Sequence, residues 1–232
     1  MVDGQGHDWE RGSPRPRADA VTGPAISGRR RRGRPGYDLE SLLAVAVAVF
    51  NERGYDGTSM EDLSRRLGIA KSSIYHHVDS KEDLLRMALD RALDELFSVV
   101  AQAQARAEPA IGRLEFLVRG SVGVLTDYLP HVTLLVRARG NTPTERRALD
   151  RRRQFDQIVA DLVKEAERDG DIRPDIDPAV TARLLFGMVN SVVEWYRPDG
   201  RGADDELASA VCAVAFDGLR IRRAGRPGQS PR

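Results

Sequence analysis

The sequence holds a single cysteine, Cys212, so it can form no internal disulfide, no Cys-based zinc site and no redox pair. Aromatic residues make up only 6%, and the four histidines are scattered except for the neighbours His76 and His77. Adjacent positions face different sides of a helix, which argues against a metal-binding pair. Long apolar stretches are missing too. The longest, Leu42 to Phe50, has nine residues, against the roughly 20 that cross a bilayer. No membrane-spanning helix is expected. No cationic stretch followed by an apolar run opens the chain, so no secretory signal is expected either. Together with the lone thiol, this points to a reducing, cytoplasmic setting. No nucleophile elbow, P-loop or metal-ligand spacing appears, which disfavours an enzyme.

What is present begins with charge. Over 232 residues the net charge is +1, but it is unevenly spread. Residues 1–36 carry eight Arg against Asp3, Asp8, Glu10 and Asp19, and residues 217–232 carry five Arg against Asp217. Basic ends on a near-neutral body suit contact with a polyanion. Residues 1–36 hold hardly any large apolar side chain beyond Trp9, Val21 and Ile26. They are expected to be a disordered basic arm, because they bury too little surface to offset chain entropy. The pattern is lost again over residues 224–232.

From Tyr37 onward the periodicity is helical. The first segment alternates Val45, Val47 and Val49 with Ala, as a strand would. Asp38 as N-cap, Gly54 as a left-handed stop and a stripe of Leu39, Leu42, Leu43, Ala46, Val49 and Phe50 favour a helix. Ser59 with Asp62 has capping-box form and starts a short helix from Met60 to about Arg66. Leu67-Gly68-Ile69 makes a turn, and a second short helix is expected from Ala70 to His77. Ser80 with Asp83 repeats the cap and opens a long helix at Lys81. Two short helices about a glycine turn, with Leu63, Leu67, Ile69 and Ile74 inward, form a helix-turn-helix. In that unit the second helix enters the DNA major groove.

The segment from Leu39 to Leu85 resembles the DNA-binding domain of the TetR family of transcriptional regulators. The resemblance is carried by FNERGYDGTS from Phe50, DLSRRLGIAKSSIYHHV from Asp62 and SKEDLL from Ser80. It implies an all-α protein in which a three-helix DNA-binding domain, residues 37–82, precedes a helical effector-binding and dimerisation domain, residues 83–223. The implied function is that of a repressor that binds a near-palindromic double-stranded operator as a homodimer and is released by a hydrophobic small molecule, with an acyl-CoA thioester as a candidate. No cofactor and no membrane partner is implied. A constitutive or architectural DNA-binding protein is the alternative.

Mapped by the resemblance, Lys71, Ser72, Ser73, Tyr75 and His76 take the positions that contact bases and phosphates. Lys81, at the start of the long helix, matches a frequent phosphate contact, and Thr58 and Ser59 are caps close to phosphate. His77 is expected to pack inward. Residues 37–82 hold five Lys/Arg against eight Asp/Glu, a net of −3, and Glu61 and Asp62 place acids where phosphates approach. Flexible arginines enter narrow minor grooves, so Arg29, Arg30, Arg31, Arg32 and Arg34 are expected to supply much of the affinity.

The remainder reads as helices broken near Pro109, Pro130, Pro143, Gly170, Pro178 and residues 197–202. Apolar and small faces on the last two suit a dimer interface. Between residues 84 and 196 a cavity is implied, with Met87, Phe116, Tyr128, His131, Arg137, Phe186, Asn190 and Trp195 as candidate ligand contacts. GMVNSVVEWYRPDG, from Gly187, resembles a segment of acyl-CoA-sensing members. Arg137, Arg139, Arg197 and the cluster Arg151 to Arg153 are candidates for CoA phosphates.

Overall fold

The Asp38 carboxylate accepts a hydrogen bond from the Ser41 amide at 2.8 Å and starts α1 (Leu39–Arg53). Gly54, at φ +79°, ends it. The Val/Ala alternation is therefore helical. Its inner face holds Leu42, Leu43, Ala46, Val47, Val49 and Phe50, while Leu39 lies largely outside. The computed structural model describes residues 38–197 and 203–219. The five arm arginines, Arg29 to Arg32 and Arg34, lie outside the described residues.

In α2 (Met60–Leu67) Ser59 and Asp62 form a reciprocal capping box, and Gly68 supplies the left-handed stop at φ +66°. After this turn, α3 covers only Lys71–Tyr75. It is shorter than the expected 70–77 at both ends: extended Ala70 is its N-cap, and the Ile74 carbonyl accepts from both the His77 and Val78 amides and closes the helix into a turn. Ile74, Leu63 and Leu42 are fully buried and hold α1, α2 and α3 together. Burying each such side chain contributes roughly 1.5–3 kcal/mol.

Six further helices follow: α4 (Lys81–Gln104), α5 (Ala110–Asp127), α6 (Leu129–Arg137), α7 (Pro143–Arg168), α8 (Pro178–Trp195) and α9 (Ala203–Leu219). The protein is all-α, with no extended strand among the described residues. Thr142 caps α7 through a second complete capping box with Glu145. α4 runs through both parts of the molecule, packing on α1 near its start and on α5, α6 and α7 further along. A Cβ on Gly120 of α5 would lie 2.5 Å from the Val99 Cγ1 of α4, so only glycine permits this approach. The first turns of α6 and α7 brace α1 and α4: the Asn51 amide donates to the Pro130 carbonyl at 2.8 Å, and the Thr144 hydroxyl donates to Glu82 at 2.7 Å.

Candidate nucleic-acid interface and ligand cleft

A helix of five residues can present its side chains only if something else fixes its backbone. Here Ile74 and Val78 anchor it from below. Lys71, Ser72, Tyr75 and His76 are left exposed and Ser73 half-buried. Tyr75 is 46% exposed, and the Lys71 ammonium stands 6.0 Å from its ring centroid. The set offers a cation, two short hydroxyls, a phenol and an imidazole on one rim. These are the group types that bond to base edges and phosphates. His77 is exposed as well. The expectation that it packs inward fails, because α3 ends before it and the turn carries it outward.

The caps behave differently from the rim. The Ser59 hydroxyl donates to Asp62 at 2.6 Å and accepts from the Asp62 amide at 3.2 Å. The Ser59 hydroxyl and the Ser59 amide, which also donates to it at 3.0 Å, hold the Asp62 carboxyl below its ordinary range, helped by Arg65. Asp62 is therefore committed to the cap, and of the two acids facing phosphate only Glu61 stays free of such a bond as an exposed carboxylate. Thr58 is 2% exposed and its hydroxyl donates to the Gly54 carbonyl at 2.7 Å. It cannot touch a phosphate with that group. Lys81 likewise differs from expectation, since its ammonium is bound by the Tyr55 and Thr58 carbonyls at 2.9 and 2.7 Å.

In the helical body a small apolar cleft of about 40 Å³ opens between α4, α5, α6, α7 and α8. Leu93 and Leu96 of α4, Leu125 of α5, and Val132, Leu135 and Val136 of α6 form much of its walls. Phe155 and Phe186 meet edge to face at 4.8 Å across it. Four polar side chains mark it, and one of them, Ser121, donates its hydroxyl to the Leu117 carbonyl at 2.7 Å. The Arg152 guanidinium donates to the Leu135 carbonyl at 3.3 Å. The Asp156 carboxyl, exposed on α7, is pushed above its ordinary range by partial desolvation, against the pull of Arg152 and Arg183. Asn190 contributes an amide with no partner among the described residues.

Of the eight candidate ligand contacts, the cleft gathers Phe186 and Asn190. Tyr128 and His131 pair edge to face at 6.3 Å outside it. His131 buries both ring nitrogens without a bond, and burial lowers its pKa. Arg137 lines a separate recess beside Asn51, Leu89 and Glu145 and lies 3.8 Å from Glu194. Phe116 sits beneath the Arg106 guanidinium, Met87 packs at the edge of the core, and Trp195 is 58% exposed at the end of α8. These six do not line the cleft because helical spacing places them on other faces. Asp156 was missed, although Arg152, Phe155, Asp156 and Val159 share one helical stripe of α7.

Residues 42–88 match the family described as bacterial regulatory proteins, tetR family, and residues 107–219 match the tetracyclin repressor-like C-terminal domain. The transcriptional repressor KstR2 of Rhodococcus jostii is 30% identical over 197 residues, which cover 81% of this chain and 93% of that protein. A crystal structure of a TetR-family regulator from Streptomyces coelicolor A3 is 57% identical, with a TM-score of 0.73, covering 78% of this chain and 91% of that one. A structure of AibR in complex with isovaleryl coenzyme A and operator DNA is 28% identical, with a TM-score of 0.65, covering 76% and 97% respectively. Two independent family matches along the chain, the long alignment to KstR2 and the helix-turn-helix geometry agree: this chain belongs to the TetR family of transcriptional regulators, not to a family of enzymes.

Proposed function

We propose that the chain is a repressor that binds a near-palindromic operator as a homodimer and releases it when a hydrophobic small molecule enters the body. The observation that carries this reading is the double duty of α4. Its first turn follows the α3 rim directly, and its middle, at Leu93 and Leu96, walls the apolar cleft. A ligand that fits the cleft better in one position of α4 than in another shifts the population of DNA-competent heads. The ligand class is an acyl-CoA thioester. The apolar walls suit an acyl chain, while Asn190 and Arg152 suit its carbonyl end. The AibR complex with isovaleryl coenzyme A supports this class.

The dimer reading rests on α8 and α9, where Val180, Leu184, Trp195 and Val214 are 43%, 64%, 58% and 69% exposed. Leaving such side chains in water is unfavourable, and a second copy would cover them. A two-fold arrangement sets the recognition helices about 34–36 Å apart, one turn of duplex. Arg29, Arg30, Arg31, Arg32 and Arg34 add electrostatic affinity. The setting is the cytoplasm, where the operator lies. Selecting bound duplexes from random DNA tests the whole reading. A palindromic consensus is expected, and removing residues 1–34 should lower the salt slope of binding by about 0.9 for every phosphate that is no longer neutralised. Recovery of no consensus would reject sequence-specific repression.

A further inference from the structure

The helix-turn-helix is a segment whose two ends must be held, and the structure holds them with one side chain. Lys81 is half-buried at the start of α4. Its ammonium donates to the Tyr55 carbonyl at 2.9 Å and to the Thr58 carbonyl at 2.7 Å. The same nitrogen stands 4.0 Å from the centroid of the Tyr55 ring. Two charge-assisted hydrogen bonds and a cation–π contact use most of what an ammonium can offer.

The corner it grips needs the help. Residues 54–58 turn sharply between α1 and α2. Gly54 is left-handed at φ +79°, and a Cβ on Gly57 would stand 2.8 Å from the Arg53 carbonyl. Inside the corner the bonds are the Thr58 amide to the Tyr55 carbonyl, at 3.2 Å, and the Thr58 hydroxyl to the Gly54 carbonyl. The Tyr55 ring meets Phe50 edge to face at 5.4 Å, which ties the grip to the core of α1. The corner before α2 and the residue that opens α4 are thus joined across a sequence separation of 23. Everything between them is the helix-turn-helix itself.

We propose that Lys81 is a positioning residue that fastens the two ends of the helix-turn-helix by caging its ammonium between the Tyr55 and Thr58 carbonyls and the Tyr55 ring, and that it is not a phosphate ligand. The proposal rests on the DNA-binding reading only for its consequence, since the latch exists in the free protein. Removing a phosphate ligand would leave the free head unchanged and lower the salt slope of binding by about 0.9 for the phosphate it had neutralised. Removing a latch does the reverse. Without it α2 and α3 sample more orientations, and affinity falls with the fraction of correctly set heads, with no change in the number of ions released.

The experiment compares the full chain with Lys81→Met, which keeps the stem and removes the cation, and with Tyr55→Leu, which keeps both carbonyls and removes the ring. Hydrogen exchange is measured on the DNA-free proteins. Binding to a duplex selected by the wild-type chain is measured from low to high salt. For Lys81→Met the expected result is at least tenfold faster exchange at the Thr58 amide and the first turn of α2, about tenfold weaker binding and an unchanged salt slope. Tyr55→Leu should move exchange and affinity the same way by a smaller factor. If Lys81→Met does not fold, Tyr55→Leu decides alone, since a phosphate-binding Lys81 predicts no change in its affinity. Unchanged exchange in the free proteins, or a reduced salt slope for Lys81→Met, would overturn the proposal even if the chain binds DNA. Absence of any duplex binding alongside faster exchange would leave the latch standing and remove the DNA-binding reading instead.

Discussion

The N-terminal helices and the helical body solve opposite problems with the same kind of helix. In residues 38–80 α2 and α3 are short, side chains cap α1 and α2, and a few buried residues such as Leu63 and Ile74 anchor the unit. Their polar rim lies within one stretch of sequence, Lys71 to His76, broken only by buried Ile74. In the body the helices other than α6 are longer, and the cleft takes two or three residues from each of five of them. A surface that must be read by DNA is thus written locally, while a pocket that must sense a ligand is assembled from distant parts. Stability and recognition should therefore respond to mutation separately in the two regions.

The largest expected effect is in the body. Phe155 is 5% exposed and touches Phe97 and Phe186 edge to face. Phe155→Ala should cost about 3–5 kcal/mol of folding stability, read as a lower urea midpoint, while the folded protein keeps its operator affinity. Next comes Lys71→Ala on the exposed rim. It should leave the urea midpoint within about 0.5 kcal/mol and weaken operator binding by about 1–3 kcal/mol if the cation reads a base edge, seen in a fluorescence binding titration. If Phe155→Ala lost as much DNA affinity as Lys71→Ala in the fully folded protein, the two regions would not be separable.

A smaller effect belongs to the caps. Ser59→Ala removes one half of the α2 capping box and should cost about 1 kcal/mol. It should also weaken DNA binding, because α2 supports α3.

Carboxylates also differ in their response to acid according to their local surroundings. Asp62 and Asp83 are held below the ordinary carboxylate value of 3.8, chiefly by the Ser59 and Ser80 hydroxyls. Their contribution is fully present above that value and is lost as the pH falls through the lowered folded-state values. Asp156, although exposed, is raised above 3.8 by partial desolvation. As the pH falls through its raised folded-state value toward 3.8, the folded state takes up the proton first and gains stability. Asp156→Asn should therefore be more stable than wild type at neutral pH, and the difference should shrink on acidification. Urea titrations at several pH values check this, and a difference independent of pH would contradict it.

The contrast also explains what can be read without coordinates. Asp38, Ser59, Gly54 and Gly68 act on neighbours within a few residues, so α1 and α2 are legible from their caps. The α3 rim is legible for the same reason. The end of α3 is not, because both His77 and Val78 amides turn to the Ile74 carbonyl, which composition does not encode. Of the expected ligand contacts, Phe186 and Asn190 lie at the cleft. Met87, Phe116, Tyr128, His131, Arg137 and Trp195 do not, since an apolar stripe says that a residue is buried or paired, not which neighbour it meets. Lys81 and Thr58 show the same limit: a basic or hydroxyl residue at a family contact position is spoken for when backbone carbonyls lie nearer than any duplex.

The coupling between these two unlike regions is tested most directly by one equilibrium measurement. The affinity of the full chain for its selected operator is titrated with and without saturating isovaleryl coenzyme A, and again with longer acyl thioesters. Stronger binding of the thioester to the DNA-free form predicts a fall in operator affinity of about tenfold or more, matched by an equal fall in thioester affinity when operator is bound. A thioester that binds tightly in the cleft and leaves operator affinity unchanged would contradict the account.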